Sequence, residues 1–105
     1  MQRIRSHEAL DAEKQRHEYL LLKISASWCN PCQIYTPIIE SVSASRSDIS
    51  VAEVDVDDMP DVRETFRVRS VPTLVMLKNG QEVDSLVGSQ PVENVHTWIN
   101  HTIEA

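Results

Sequence analysis

The sequence predicts an α/β domain with a central mixed β-sheet of four to five strands flanked by helices. Three observations carry this expectation. Apolar or β-branched runs at Tyr19 to Ile24, Ile49 to Val56 and Val71 to Leu77 are separated by stretches with helical features, the order of two successive β-α-β units. Such units favour parallel strands joined by right-handed crossovers. An Asn79-Gly80 pair then follows the third run, a tight-hairpin signal that returns a last strand antiparallel. With 105 residues, 41% hydrophobic and 25% charged, the chain is expected to form one domain over 1–105. Size scaling gives a folded surface of roughly 6,000 Å² against about 17,000 Å² unfolded, enough burial for a core without staples.

Each element has its own signals. Ser6 can cap a helix that runs to about His17 and carries few apolar residues beyond Ala9, Leu10 and Ala12. Tyr19 to Ile24 is apolar almost without alternation, which predicts a strand buried on both faces, with Lys23 the exception. Asn30 to about Ser45 is expected to be a helix with Ile34, Ile38 and Val42 on one face, Ile39 beside them, and a kink at Pro37. The β-branched Ile49 to Val56 predicts a strand, and Pro60 fits the first turn of a helix to about Phe66. Pro72 is tolerated at the start of the Val71 to Leu77 strand, and Glu82 to Val87 should pair with that strand across the hairpin. Val92, Val95, Ile99 and Ile103 form the apolar stripe of a last helix. Gln2 to Ile4 leaves room for a very short first strand.

The charge balance narrows the function classes. Ten basic against sixteen acidic residues give a net charge of −6, and there is no basic stripe, so nucleic acid is not an expected partner. The acids gather at Asp48, Glu53, Asp55, Asp57, Asp58, Asp61 and Glu64, a stretch whose only base is Arg63, and no Lys or Arg follows Lys78. A solvated acidic rim is one reading; a docking face for a basic partner is the other. The longest apolar run, Tyr19 to Leu22, is far shorter than the ~20 residues of a membrane span, and the polar start offers no secretory h-region. A cytoplasmic protein without membrane association is expected. Asn100-His101-Thr102 matches a glycosylation acceptor, but carries no meaning without export.

The chemistry concentrates in Trp28-Cys29-Asn30-Pro31-Cys32, which holds both cysteines of the chain at a strand-to-helix junction. Two intervening residues place the sulfurs within bridging reach. A helix N-terminus favours thiolate through its dipole and free N–H groups, and thiolate is what disulfide exchange requires. Cys29, nearer the open end, is then the nucleophile, and Cys32, one turn in, the resolving thiol. Pro31 limits the loop and Asn30 can hydrogen-bond near both sulfurs. Other readings are half a zinc site, a structural bridge of little stabilising value across so short a loop, and two unreactive thiols. His7, His17, His96 and His101 form no tight pair that would complete a metal site.

From about Ile4 onward these residues resemble the thioredoxin family. The Trp-Cys-x-Pro-Cys run carries the resemblance together with Pro37, Arg69-Ser70-Val71-Pro72-Thr73, the Lys78-Asn79-Gly80 hairpin and Val87-Gly88. It implies the thioredoxin fold, with a cis Pro72 lying against the active-site disulfide. It also implies a thiol–disulfide oxidoreductase that reduces protein disulfides. Substrate would lie along Trp28, Val71, Pro72 and Gly88, with Val71 offering its backbone to an extended chain. No cofactor is implied beyond the redox-active Cys29–Cys32 pair. The partners implied are disulfide-containing proteins and a reductase as electron donor, and nothing demands more than a monomer. Both cysteines lying in the motif suits a reducing compartment. A disulfide oxidase or isomerase, and a non-catalytic binding subunit, are the alternative functions.

The chain departs from the family at instructive places. Lys23 stands where the family usually has a buried acid, six residues before Cys29, and Glu53 stands where a lysine is usual on the neighbouring strand. Either the two form an ion pair of reversed polarity that tunes Cys32, or Lys23 snorkels to solvent and Glu53 joins the acidic rim. Asn30 replaces a glycine, Ser25 an aromatic, and Ser70 a glycine before the cis-proline loop.

Overall fold

Strand β2 (Tyr19–Ser25) is the centre of the molecule because its apolar residues fall on both faces of the sheet; Leu20 to Ser25 are all buried, Lys23 and Ser25 included. The computed structural model describes residues 1–105. Around β2 run β1 (Gln2–Ile4), α1 (His7–Arg16), α2 (Asn30–Ser45), β3 (Ser50–Asp55), α3 (Val62–Thr65), β4 (Thr73–Lys78), β5 (Gln81–Val87) and α4 (Val92–Glu104). The five strands lie in the order β1-β3-β2-β4-β5. Strands β1 and β2 run parallel to β3, whereas β4 runs antiparallel to both β2 and β5. The folded surface is 5793 Å², close to the area expected from size alone.

The expected second parallel β-α-β unit is not formed. A parallel return needs a crossover long enough to carry the chain back along the strand. Helix α3 has only four residues, or about 6 Å at 1.5 Å per residue, against a strand of about 20 Å. The rest of the long connection from Asp55 to Thr73 is turns and bends that make no progress back along the strand, so the chain re-enters the sheet near the end where β3 finished and β4 runs the opposite way. Pro60 also falls outside the helix. The backbone passes through turns (Val62 N–H to Met59 O, 3.1 Å; Arg63 N–H to Pro60 O, 3.4 Å), and α3 begins only at Val62. Asp61 at its cap makes no capping bond, its carboxylate being held by His7 Nε2 at 2.7 Å.

Two cores sandwich the sheet. Leu20, Leu22, Ile24, Val54 and Val75 face Leu10 of α1 and Val62 of α3 on one side. Leu21, Val51, Leu74 and Met76 face Tyr35, Ile39 and Val42 of α2 and Val95 and Ile99 of α4 on the other. The face of α2 differs from the expected one: Cys32, Tyr35, Ile39 and Val42 are buried, Ile38 is half-buried, and Ile34 is 63% exposed. Residues four apart advance a helix by about 400°, so a strict spacing of four drifts about 40° per step and leaves the stripe. The helix is continuous through Pro37. Elsewhere local chemistry agrees with the sequence: Ser6 Oγ accepts from Ala9 N–H at 3.1 Å, and the hairpin turn uses positive φ at Asn79 (51°) and Gly80 (80°). Arg67, at φ 55°, ends α3 with paired bonds from Arg67 N–H to Glu64 O and Val68 N–H to Arg63 O.

Candidate active site

Cys29 is the N-cap of α2, and its position follows from the β2–α2 junction. Its N–H donates to Ala26 O (3.1 Å), its carbonyl accepts from Gln33 N–H (3.2 Å), and Gln33 Nε2 also donates to Ala26 O (3.0 Å). These bonds fold Ser27 and Trp28 outward, leaving Trp28 65% exposed. Cys29 and Cys32 are joined by a disulfide, with Cα atoms 5.3 Å apart. The Cys32 N–H points at Cys29 Sγ from 3.2 Å, the arrangement that stabilises a thiolate at a helix N-terminus once the bridge opens. Cys32 is fully buried and Cys29 is 6% exposed, so the outer sulfur is the one within reach of a partner. Asn30 and Pro31 occupy the first helical turn and are exposed.

A second loop closes over the sulfurs. The Val71–Pro72 peptide is cis, and the Val71 carbonyl oxygen lies 3.8 Å from Cys29 Sγ. The loop is pinned from below by Thr73, whose Oγ1 donates to Ser70 O at 2.8 Å, and from the side by Gly88, whose N–H donates to Pro72 O at 2.9 Å. Gly88 has φ +81°, a conformation that favours glycine, and a side chain there would meet nothing within 4 Å. Cys29, Val71, Pro72 and Gly88 thus form one linked surface, with Trp28 adjoining Cys29 and Val87 60% exposed.

Beneath the disulfide the charged pair exists. Lys23 and Glu53 are in register on adjacent strands, and Lys23 Nζ lies 2.8 Å from Glu53 Oε2. Lys23 is fully buried, which removes the snorkelling alternative. Its other donors reach Ser25 Oγ (3.0 Å) and Thr36 Oγ1 (3.1 Å), and Thr36 Oγ1 donates to the Cys32 carbonyl (3.1 Å). The sequence reading missed Thr36; its one signal was a hydroxyl placed four residues after Cys32. Most of the solvated acidic rim is present, with Asp48, Asp57, Asp58, Asp61 and Glu64 exposed. The exceptions are Glu53, paired with Lys23, and Asp55, buried and paired with Arg3 (3.2 Å), whose guanidinium also reaches Asp58 (2.9 Å).

Other buried and charged groups lie outside this arrangement. The Tyr35 hydroxyl is buried without a hydrogen-bonding partner, and burial pushes its pKa up to about 12, tempered by the nearby Gln90 backbone. Arg46 forks onto Asp48, holding that carboxyl below its usual range, and also reaches His96 Nδ1 (3.2 Å) and Asn100 Oδ1 (2.8 Å). Trp98 is half-buried and donates to Asp84 at 2.9 Å. No three His, Cys, Asp or Glu side chains converge on a point that could hold a metal. An open cleft of about 600 Å³, lined by Arg16, His17 and Tyr19 among others, lies at the amino ends of β2 and β3, away from Cys29.

Comparison with known proteins agrees with this geometry. The Thioredoxin family model matches residues 4–101. A thioredoxin H-type from Fagopyrum esculentum is 34% identical over 95 residues, covering 90% of this chain and 82% of that protein. A thioredoxin from Chlamydia caviae is 38% identical over 81 residues, covering 77% of this chain and 79% of its own. Among solved structures, a point-mutant thioredoxin of Halobacterium salinarum superposes with a TM-score of 0.87 at 31% identity, covering 96% of this chain and 88% of the other. Plasmodium falciparum thioredoxin gives 0.89 at 28% identity, covering 96% and 98%. With a paired Cys-x-x-Cys at a helix N-terminus beside a cis proline, the chain belongs to the thioredoxin family of thiol–disulfide oxidoreductases.

Proposed function

We infer that Cys29 is the nucleophile and Cys32 the resolving thiol in the reduction of protein disulfides. The observation that carries this reading is the asymmetry of the pair: Cys29 at the helix cap, faced by the Cys32 N–H, and Cys32 fully buried one turn in. The Cys29 thiolate attacks a substrate disulfide, forming a mixed disulfide and releasing one substrate thiolate. Cys32 then attacks Cys29 Sγ, releasing the second substrate thiol and leaving the Cys29–Cys32 bridge. Substrate lies along Trp28, Val71, Pro72 and Gly88, where the Val71 backbone beside Cys29 Sγ can pair with an extended chain. Asn30 and Pro31 shape the turn, and Lys23 and Glu53 tune Cys32 from below.

The exchange runs without a cofactor beyond the cysteine pair, in one domain spanning 1–105 that works as a monomer. A reductase returns the electrons, as is usual for thioredoxins. The cytoplasm is the compartment that suits a chain whose two cysteines both serve exchange. No helix is long and apolar enough to cross a membrane.

With dithiothreitol as electron source, the protein should accelerate reduction of a disulfide-bonded protein. Cys29→Ser should abolish the acceleration, and Cys32→Ser should arrest as a mixed disulfide on Cys29, visible by mass spectrometry. Retained turnover in Cys29→Ser would overturn the assignment. The potential of the pair, equilibrated against glutathione, should lie on the reducing side of about −200 mV; a value of about −120 to −180 mV would favour disulfide formation or isomerisation instead.

A further inference from the structure

Thr36 is the only side chain seen to bond both the buried cation and the turn that carries Cys32. Its Oγ1 lies 3.1 Å from Lys23 Nζ and 3.1 Å from the Cys32 carbonyl oxygen. The direction of both bonds is fixed by chemistry, because an ammonium only donates and a carbonyl only accepts. The single hydroxyl proton therefore goes to Cys32, and a lone pair faces Lys23. The remaining Lys23 donors are taken by Ser25 Oγ at 3.0 Å and Glu53 Oε2 at 2.8 Å.

The ion pair is also oriented. The Lys23 side chain is fully buried while that of Glu53 is 21% exposed. Water screens the carboxylate end more than the ammonium end, so the two charges do not cancel at the Cys32 turn, which lies on the ammonium side. The other buried acid at this end of β3, Asp55, is turned to Arg3 at 3.2 Å, a guanidinium it shares with Asp58 at 2.9 Å, and makes no bond to Lys23 or the Cys32 turn. The first turn of α2 carries no acidic side chain, and the sheet-facing side chains of α2, β4 and α4 on this face (Tyr35, Ile39, Leu74, Met76, Val95 and Ile99) are uncharged.

We propose that Thr36 is a positioning residue for the second half of the exchange, clamping the Lys23 ammonium against the Cys32 turn so that its charge stabilises the Cys32 thiolate. This rests on the exchange reading given above and specifies how its resolving step works. An ammonium has no lone pair with which to take a proton, so the support is electrostatic. The Cys32 thiol loses its proton to solvent, and the thiolate forms the bond to Cys29 Sγ as the Cys29–substrate bond breaks. The electron pair of that broken bond leaves on the substrate sulfur, which takes up a proton. Two electrons pass from the enzyme dithiol to the substrate disulfide.

The test isolates Cys32 in a Cys29→Ser background and measures its thiol pKa by thiolate absorbance and by the pH dependence of alkylation. Thr36→Val, which keeps the shape of the side chain, should raise that pKa by about one unit, and Thr36→Ser should restore it. With both cysteines present, Thr36→Val should leave the rate of mixed-disulfide formation unchanged and slow its resolution about tenfold near neutral pH. An unmoved Cys32 pKa in a folded Thr36→Val protein, or no rescue by Thr36→Ser, would overturn the proposal. Mixed-disulfide trapping by Cys32→Ser is the separate control: its failure would sink the exchange reading itself, whereas trapping with an unmoved Cys32 pKa would sink only the role of Thr36.

Discussion

At the scale of single residues, the molecule places its polar groups where their loss has calculable direction. Lys23 and Glu53 are unequal partners, one fully buried and the other 21% exposed at its side chain. Removing the Glu53 carboxylate leaves an ammonium in a dry site with only Ser25 and Thr36 hydroxyls for company. Glu53→Ala should therefore destabilise by about 3 kcal/mol or more, and Lys23→Met by roughly 1 kcal/mol, since the freed carboxylate can hydrate. The double variant should be more stable than Glu53→Ala alone, as read by urea unfolding; an additive result would show the pair to be uncoupled. Tyr35 makes the complementary case. Its buried hydroxyl has no partner, so Tyr35→Phe should be neutral to stabilising by up to ~1 kcal/mol. Because burial raises its folded pKa to about 12, the unfolded chain ionises first as pH climbs. As far as Tyr35 is concerned, stability is level below the ordinary tyrosine value near 10 and falls as pH rises from there through the folded value. Tyr35→Phe should flatten the fall in stability over that window, measured by chemical unfolding at each pH.

At the scale of elements, what the sequence revealed and what it hid divide along a physical line. Local signals held where a few neighbouring residues decide the geometry: Ser6 at its cap, Asn79-Gly80 in the hairpin, the apolar run of β2 interrupted only by Lys23. They failed where the outcome depends on a distant partner. The direction of β4 was set by the brevity of α3, and the buried face of α2 by the sheet it lies on rather than by its own isoleucine spacing. That correction is directly testable. Ile34→Ser should change stability by less than about 0.5 kcal/mol, whereas Ile39→Ala should cost about 2–5 kcal/mol in the same denaturant titration. The end of α3 offers a further check, since Arg67 occupies a left-handed conformation inside a paired helix-end hydrogen-bond pattern. Arg67→Gly should stabilise by up to about 1 kcal/mol, seen as a higher thermal midpoint, and a loss of stability there would mean that the Arg67 side chain makes an interaction worth more than the backbone relief.

At the scale of the whole molecule, the net charge of −6 was legible from composition, but its distribution was not. The acidic stretch around β3 is exposed at most positions but meets Lys23, Arg3 and His7 from elsewhere in the chain at Glu53, Asp55, Asp58 and Asp61. The candidate site shows the same division: the two cysteines and Pro72 announce themselves in sequence, whereas Thr36 acquires meaning only once Lys23 is found beside it. A second acidic segment follows Lys78, where Glu82, Asp84, Glu93 and Glu104 have no Lys or Arg among them in sequence. Those residues sit on β5 and α4, the elements on either side of Gly88. Although Arg46 reaches His96 and Asn100 of α4 and Lys14 packs against the hairpin at Gly80, the molecule as a whole presents a net charge of −6 to anything approaching the proposed substrate surface. The surface beside Cys29 is itself uncharged, being built from Trp28, Val71, Pro72 and Gly88, so this field acts on approach rather than on contact. A disulfide peptide flanked by lysines should then be reduced several-fold faster than the same peptide flanked by glutamates at low ionic strength. The difference should shrink toward parity near 1 M salt, where the screening length falls to about 3 Å. Reduction of a small uncharged disulfide should show no such salt dependence, which separates steering from any effect of salt on the cysteines. If the preference for the basic peptide persisted undiminished at high salt, recognition would have to come from a specific contact at the groove and not from the field of the molecule.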